Sequence, residues 1–123
     1  MAKILLTEDD EAVCTFVKRA LEMDGHAITT AKDGAEGLAK LQGENGQFDL
    51  LLTDIKMPVM DGIALALSAA RDFPDLTILL MTGYADQRER ASNLRALIYD
   101  VITKPFTLPQ IRAKVMEALD SKK

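Results

Sequence analysis

Short apolar runs alternate with amphipathic stretches along the whole chain. The runs are brief and lack the polar alternation of a half-exposed strand, so they predict strands that are covered on both faces. These predicted strands lie at 4–6, 26–30, 50–52, 76–81 and 99–103, and the pattern is weakest in the second. The stretches between them have helical periodicity and predict helices near 13–24, 33–41, 61–71, 86–96 and 108–119.

The first predicted helix has the clearest amphipathic stripe. Apolar side chains recur in it at helical spacing, and we expect them to face the core. They are Val13, Phe16, Val17, Ala20 and Leu21. Asp33, Asp61 and Thr107 are candidate N-caps of the second, third and fifth helices, because their side chains can accept hydrogen bonds from free backbone N–H groups.

The alternation of strands and helices predicts the fold class. Such strands pair in parallel through right-handed crossovers, which place helices on both faces of one sheet. We therefore predict an α/β fold with a doubly wound, five-stranded parallel sheet. The chain contains no internal repeat, low-complexity tract or linker, so we expect residues 1–123 to form one domain with no output domain.

Composition and charge narrow the class of protein. The chain has 123 residues, 48% of them hydrophobic, which is enough for one core and too short for two domains. A net charge of −4 argues against binding to nucleic acid or to a membrane surface, and no apolar stretch approaches the roughly 20 residues of a membrane span. The single cysteine, Cys14, cannot form an internal disulfide, which favours a cytoplasmic setting. The single histidine, His26, is interpreted as a partly exposed turn residue.

Candidate chemistry collects at one edge of the predicted sheet. In an open parallel sheet, functional groups gather outside the carboxyl ends of the strands. The residues that follow strands one, three, four and five are Glu8, Asp9 and Asp10, then Asp54, then Thr82 and Gly83, and finally Lys104 and Pro105. We expect these side chains to form one site.

The acidic residues of this edge point to a divalent cation. Asp10 is explained as an acidic residue at the start of the first helix, where the helix dipole favours negative charge. Asp9 and Asp54 need another explanation, because two carboxylates in proximity oppose each other's ionisation. A divalent cation removes that conflict, and oxygen ligands with open positions suit Mg²⁺. Bound Mg²⁺ beside a free carboxylate is an arrangement typical of phosphoryl transfer.

The same residues carry a family resemblance. Glu8-Asp9, Asp54 in the segment TDIKMPVMDG, Thr82-Gly83 and Lys104-Pro105-Phe106 together resemble the receiver domain of two-component response regulators, the CheY-like family. The likeness covers essentially the whole chain. It implies a flavodoxin-like sheet with strand order 2-1-3-4-5.

The resemblance implies a role for each matching residue. Asp54 would be the phosphoacceptor, supplied by a histidine kinase or a histidine phosphotransfer protein. Asp9, Asp54 and the backbone carbonyl of Lys56 would bind Mg²⁺, with Glu8 close to the metal. Lys104 would pair with the aspartate or with its phosphoryl oxygens.

Two further features of the site follow from the resemblance. The hydroxyl of Thr82 would donate to the phosphoryl group. The peptide bond between Lys104 and Pro105 would be cis, a geometry open mainly to bonds that precede proline.

One position departs from the family pattern, and two others bear on the lifetime of the phosphoryl group. The aromatic residue that receivers commonly carry three positions before the lysine is Val101 here, and Tyr99 lies two residues earlier. We hypothesise that phosphorylation is read through the loop at 83–90 instead of an aromatic ring at Val101. Lys56 and Tyr84 occupy positions that tune dephosphorylation in the family, and they predict a long-lived phosphoryl group because Tyr84 would obstruct the attacking water.

The segment 87–95 is the most basic part of an acidic chain. It is either a solvated face of the fourth helix or a surface that docks a partner. The resemblance favours an output face made of the fourth helix, fifth strand and fifth helix. Arg88 and Arg90 would then contribute to partner binding.

Several functions remain open at this point. The first is an output switch that binds a protein partner, and short receivers of this type resemble adaptors for regulated proteolysis in bacterial cell-cycle control. A protease or its adaptor system is therefore a candidate partner. The alternative is a phosphoryl carrier or phosphate sink within a phosphorelay, and neither function makes the chain an enzyme. A nucleotide binder is disfavoured because Glu8 and Asp9 would repel phosphate, and an aspartyl phosphatase would need a second aspartate where Lys56 stands.

Overall fold

The computed structural model describes residues 2–121. Within this range, five strands alternate with five helices. In chain order they are β1 (Lys3–Thr7), α1 (Glu11–Glu22), β2 (Ala27–Ala31), α2 (Gly34–Gly43), β3 (Leu50–Asp54), α3 (Gly62–Asp72), β4 (Thr77–Thr82), α4 (Ala85–Ser92), β5 (Asp100–Thr103) and α5 (Leu108–Asp120). All five predicted strands are present close to their predicted positions.

The strands form a parallel sheet in the order β2-β1-β3-β4-β5. Its central strand is β3, in which Leu51 pairs with Leu5 of β1 on one side and with Ile78 of β4 on the other. Every residue of β3 and of β4 is buried. This is the doubly wound α/β fold that the alternation predicts, with the strand order that the family resemblance implies.

A hydrophobic core covers each face of the sheet. Because side chains alternate along a strand, Leu5 and Leu51 enter one core while Leu6 and Leu52 enter the other. Helices α2, α3 and α4 contribute to the first core, and α1 and α5 contribute to the second. The site therefore rests on strands that are held from both sides.

The predicted caps begin their helices. Asp33, Asp61 and Thr107 each accept a hydrogen bond from the backbone N–H three residues further on, at 2.8, 2.8 and 3.2 Å. Asp10 caps α1 through a 2.9 Å bond from the N–H of Ala12, which accounts for an acidic residue there. Among residues 2–121, no helix combines the length and the apolar composition that crossing a membrane requires.

The fourth helix is shorter than predicted. Its pattern predicted 86–96, whereas α4 ends at Ser92 and residues 93–97 form turns. The N–H groups of Leu97 and Ile98 both donate to the carbonyl of Leu94, at 2.7 and 3.1 Å. This turn directs Ile98 into the core, where it is buried. Core packing by Leu94 and Ile98 therefore ends the helix early.

Two side chains are placed differently from the sequence prediction. Phe16 is 40% exposed instead of buried, because it turns toward Phe106, with 6.4 Å between the ring centroids. His26 is buried instead of partly exposed, because the bond from the N–H of Ala27 to the carbonyl of Ala2 draws the N-terminal strand across it. Burial lowers the pKa of His26, which favours the neutral ring whose Nδ1 accepts the N–H of Ala2 at 3.1 Å.

Candidate functional site

Three carboxylates meet at the carboxyl edge of the sheet. Glu8 and Asp9 follow β1, and Asp54 is the last residue of β3. One carboxylate oxygen from each lies within 4.8 Å of the others. Glu8 and Asp54 are buried, whereas Asp9 is exposed. The parallel strands thus bring together acidic residues that are far apart in the chain.

A cavity of about 740 Å³ opens at these carboxylates. Loops that follow four of the strands line it. Its polar lining includes Glu8, Asp9, Asp54, Lys56 and Lys104. All the predicted site residues except Thr82 therefore share this cavity.

Lys104 places a cation between the two buried carboxylates. Its Nζ lies 2.6 Å from Glu8 Oε1 and 3.3 Å from Asp54 Oδ1. Its backbone N–H donates to the carbonyl of Thr82 at 2.8 Å, and the peptide bond to Pro105 is cis, as the resemblance implies. The contact with Glu8 is the shorter of the two, and the sequence had indicated only the one with Asp54.

Burial and charge together set the protonation of these groups. Burial, reinforced by the charge of Asp54, raises the pKa of Glu8 to about 7. Burial also raises the pKa of Asp54 above its ordinary value. Although burial opposes it, the hydrogen bond to Glu8 and the charge of Asp54 raise the pKa of Lys104. One ammonium thus offsets only part of the negative charge, and a further cation would stabilise the ionised carboxylates.

Backbone contacts hold Asp54 in one orientation. The N–H of Ile55 donates to Asp54 Oδ1 at 3.0 Å. The N–H of Gly62 donates to the carbonyl of Ile55 at 2.7 Å, which brings the start of α3 against the end of β3. A Cβ at Gly62 would lie 1.9 Å from the carbonyl oxygen of Asp54, so this close approach requires glycine.

Thr82 lies at the same edge, but its hydroxyl faces the start of α4. Thr82 is buried at the end of β4. Its Oγ1 accepts the N–H of Tyr84 at 3.1 Å and donates to Oε1 of Gln87 at 3.2 Å. The sequence offered no signal for Gln87, since glutamine is common on exposed helices.

Lys56 and Tyr84 contact each other across the cavity rim. The Nζ of Lys56 lies 4.8 Å from the centroid of the Tyr84 ring, a distance typical of a cation–π interaction. The two residues belong to different loops, between β3 and α3 and between β4 and α4. Both positions had been singled out in the sequence, but their contact could not be foreseen.

An apolar wall closes another side of the cavity. Phe16 of α1 and Phe106 after β5 form it together with Val13. The helical periodicity had assigned Phe16 to the core. The contact of these two rings, which are distant in the sequence, depends on the docking of α1 beside α5.

The donor set fits a small divalent cation. Three carboxylates with oxygens within 4.8 Å of one another offer hard, negatively charged ligands. Mg²⁺ prefers such ligands and keeps positions open for other oxygens. The residues present are therefore compatible with the Mg²⁺ site that the sequence predicts.

Comparison with known proteins gives the family of the chain. A profile of the response regulator receiver domain matches residues 4–116. The response regulator receiver protein CpdR from Brucella abortus (strain 2308) is 40% identical over 119 residues, which cover 97% of this chain and 98% of CpdR.

Two solved structures are similar in both fold and sequence. A CheY-like receiver domain protein from Methanospirillum hungatei JF-1 has a TM-score of 0.89 and 34% identity, covering 99% of this chain and 96% of that chain. The response regulator TrrA from Thermotoga maritima, in complex with Mg²⁺-BeF, has a TM-score of 0.84 and 29% identity, covering 96% of this chain and 99% of that chain. The chain therefore belongs to the response regulator receiver family, and it is a response regulator of the two-component type.

Proposed function

We propose that Asp54 is the phosphoacceptor of this response regulator. The observation that carries the proposal is a buried carboxylate in an open cavity, with the Lys104 ammonium 3.3 Å away. Glu8 is less suited, because its two oxygens are engaged by Lys104 at 2.6 Å and by the N–H of Asp10 at 3.2 Å. The donor is a phosphohistidine on a histidine kinase or on a histidine phosphotransfer protein.

The transfer is a direct displacement at phosphorus. Asp54 Oδ1 is held by the N–H of Ile55 and by Lys104, so the other carboxylate oxygen attacks. The new O–P bond forms as the P–N bond breaks, and the imidazole leaves with that electron pair. Lys104 then moves from the carboxylates to a phosphoryl oxygen, as a flexible ammonium can.

Mg²⁺ is the cation that we assign to the carboxylates. Asp9, Asp54 and the backbone carbonyl of Lys56 would hold it, with Glu8 beside it. When bound, it supplies positive charge that offsets the phosphoryl oxygens. Receiver domains typically bind Mg²⁺, and the similar structure of TrrA is a complex with Mg²⁺-BeF.

The apolar wall suits the approach of the donor protein. Val13, Phe16 and Phe106 lie beside the acidic groups, and Phe16 is 40% exposed. An apolar face of the donor, adjacent to its histidine, would cover these side chains and keep bulk water from the reacting groups. The presence of this apolar wall beside the acidic groups supports a protein donor.

The signal passes to a protein partner through α4, β5 and α5. Thr82 turns from Gln87 to the phosphoryl group, which releases the start of α4. Val101 leaves this face without the usual aromatic switch, so the loop at 83–90 conveys the change. The similarity to the receiver protein CpdR along 98% of its length supports action on a separate partner. A protease or its adaptor system is a candidate for that partner.

We expect a long-lived phosphoryl group, because Tyr84 narrows the path of the attacking water and Lys56 can hold a phosphoryl oxygen. We place the protein in the cytoplasm, where kinases of this type present their phosphohistidine. Its role is that of a switch, not of an enzyme with its own substrate.

Labelling with acetyl phosphate and Mg²⁺ tests the acceptor. We expect wild type to gain one phosphoryl group by intact mass, and Asp54→Asn to gain none. The matched control is Asp33→Asn, which keeps an N-cap on α2 and should be labelled like wild type. Labelling of Asp54→Asn at a comparable rate would contradict the proposal.

The output face is tested at Arg95. Arg88 and Arg90 are bonded to Thr103 and Asp61, so their reversal would also disturb internal contacts. Arg95→Glu should lower the amount of a partner that is co-purified with wild type and absent from Asp54→Asn, while labelling stays intact. Arg19→Glu, at an exposed position of α1, is the control. Rapid return of the phosphoryl group to a phosphotransfer protein, without such a partner, would favour the carrier function.

A further inference from the structure

We propose that the Lys56 ammonium is exchanged between the Tyr84 ring and the phosphoryl group, so that phosphorylation releases Tyr84. This inference rests on Asp54 being the acceptor. It concerns a contact that the transfer reaction does not itself need. Its starting point is the 4.8 Å separation between Lys56 Nζ and the Tyr84 ring centroid.

The position of the pair makes the exchange possible. Lys56 and Tyr84 both line the cavity that contains Asp54. Lys56 lies two residues after the acceptor, and its side chain is exposed, so its flexible stem is free to turn. The same ammonium can therefore reach the ring or a group attached to Asp54, but it cannot satisfy both fully.

Relative interaction strength decides the direction of the exchange. Tyr84 is 51% exposed, and a cation–π contact in such a place is weak because water competes for the ammonium. A phosphoryl group adds negative charge and strong acceptor oxygens, and charge-assisted hydrogen bonds are stronger than this contact. Phosphorylation should therefore draw Lys56 from the ring.

A second bond connects Tyr84 to the same event. The backbone N–H of Tyr84 donates to Thr82 Oγ1 at 3.1 Å. If Thr82 turns its hydroxyl toward the phosphoryl group, this bond changes as well. Tyr84 thus has two contacts at this site, its ring with Lys56 and its backbone N–H with Thr82. The charge of the phosphoryl group acts on both. The release of Tyr84 would make an aromatic side chain respond to phosphorylation, even though β5 has Val101 where receivers commonly have an aromatic residue.

Fluorine NMR can follow Tyr84 by itself. The chain has two tyrosines and no tryptophan, so 3-fluorotyrosine in a Tyr99→Phe background gives one protein resonance. The first comparison uses no ligand. Lys56→Met should shift this resonance, whereas the control Lys32→Met, at another exposed lysine, should not. An unchanged resonance in Lys56→Met would overturn the proposal, because the ring would then have no contact to lose.

The second comparison adds Mg²⁺ and then beryllofluoride, a phosphoryl analogue that has its own fluorine signal. We expect Mg²⁺ alone to leave the Tyr84 resonance in place and beryllofluoride to move it in the same direction as Lys56→Met does. A bound beryllofluoride signal with an unmoved Tyr84 resonance would overturn the exchange while sparing the acceptor. The full shift on Mg²⁺ alone would also overturn it. Absence of bound beryllofluoride would count against Asp54 as acceptor, so the two failures are distinguishable.

Discussion

Helices α1 and α4 begin at the same cavity, but different forces hold them. Helix α1 buries Val17, Ala20 and Leu21 completely. Among the described side chains of α4, only Ala91 is buried. Hydrogen bonds from two arginines hold α4 instead. Arg88 Nη1 donates to Thr103 Oγ1 at 2.6 Å, and Arg90 Nη2 donates to Asp61 Oδ2 at 3.4 Å.

This difference separates a fixed side of the site from a side that can rearrange. Packed apolar side chains resist displacement, because any shift opens a void or a clash. Exposed polar contacts are weak, and water or a new charge can replace them. The carboxylates stand beside the well-packed helix, whereas Thr82 and Tyr84 lead into the weakly packed one. A switch that must keep its acceptor in place while moving its surface benefits from this division.

The largest effect is expected from removing core packing under α1. Leu21→Ala should lower the free energy of unfolding by about 2–5 kcal/mol, since Leu21 is completely buried. Urea denaturation followed by circular dichroism measures this change. Met23→Ala, at an exposed apolar position next to the same helix, should cost much less. Equal losses in the two variants would break the assignment of α1 to the fixed side.

A side chain added at Gly62, where α3 begins against the end of β3, should have the next largest effect. Gly62→Ala introduces a Cβ that would lie 1.9 Å from the carbonyl oxygen of Asp54. We expect a loss of about 1–3 kcal/mol and slower labelling of Asp54, because the chain must shift where this proposed acceptor is anchored. Gly43→Ala, at a position with open space around it, is the control. A fully stable and normally labelled Gly62→Ala would show that the backbone around Asp54 is less rigid than its packing indicates.

A pH-dependent loss is expected from Asp24→Asn. The hydrogen bonds from Arg112, at 3.0 Å from Nε to Oδ2, join the end of α1 to α5 and hold the pKa of Asp24 below its ordinary value. A lowered carboxylate pKa stabilises the fold above the unfolded-state pKa of about 3.9, and that contribution disappears as pH falls through the folded-state pKa. The stability gap between variant and wild type should therefore narrow from pH 7 toward pH 3 in urea titrations.

The control for the Asp24–Arg112 pair is Asp72→Asn. Asp72 bonds to its neighbour Arg71, a contact that can also form in the unfolded chain. Its substitution should change the pH dependence less than Asp24→Asn does. The opposite order would mean that the long-range pair does not stabilise the α1 side.

The smallest global effect is expected from Arg90→Met. The Arg90–Asp61 pair is largely exposed, and its loss should cost no more than about 1 kcal/mol. Its local effect should be larger, because amide hydrogen exchange in α4 depends on few buried contacts. Exchange should accelerate in α4 and stay unchanged in α1. Uniform acceleration across both helices would remove the distinction between the two sides.

The predictable parts of this protein are those that follow from local patterns. The strand positions followed from apolar runs, and the caps at Asp33, Asp61 and Thr107 followed from residue type. The end of α4 did not, because it depends on Leu94 and Ile98 entering a core that distant strands build. Phe16 has the correct helical spacing for burial and is exposed all the same, because Phe106 offers its ring a contact beside the cavity.

The sequence by itself determined the chemistry available at the site. Residue types and their places after strands specify the acidic groups, the lysine and the hydroxyl, because parallel strands bring their carboxyl ends to one edge. Only the tertiary structure decided which of these groups touch. It set Lys104 closest to Glu8, turned Thr82 toward Gln87 and brought Lys56 to the Tyr84 ring. Contacts of this kind depend on distances of a few ångströms between separate loops, and such distances arise only when the helices pack.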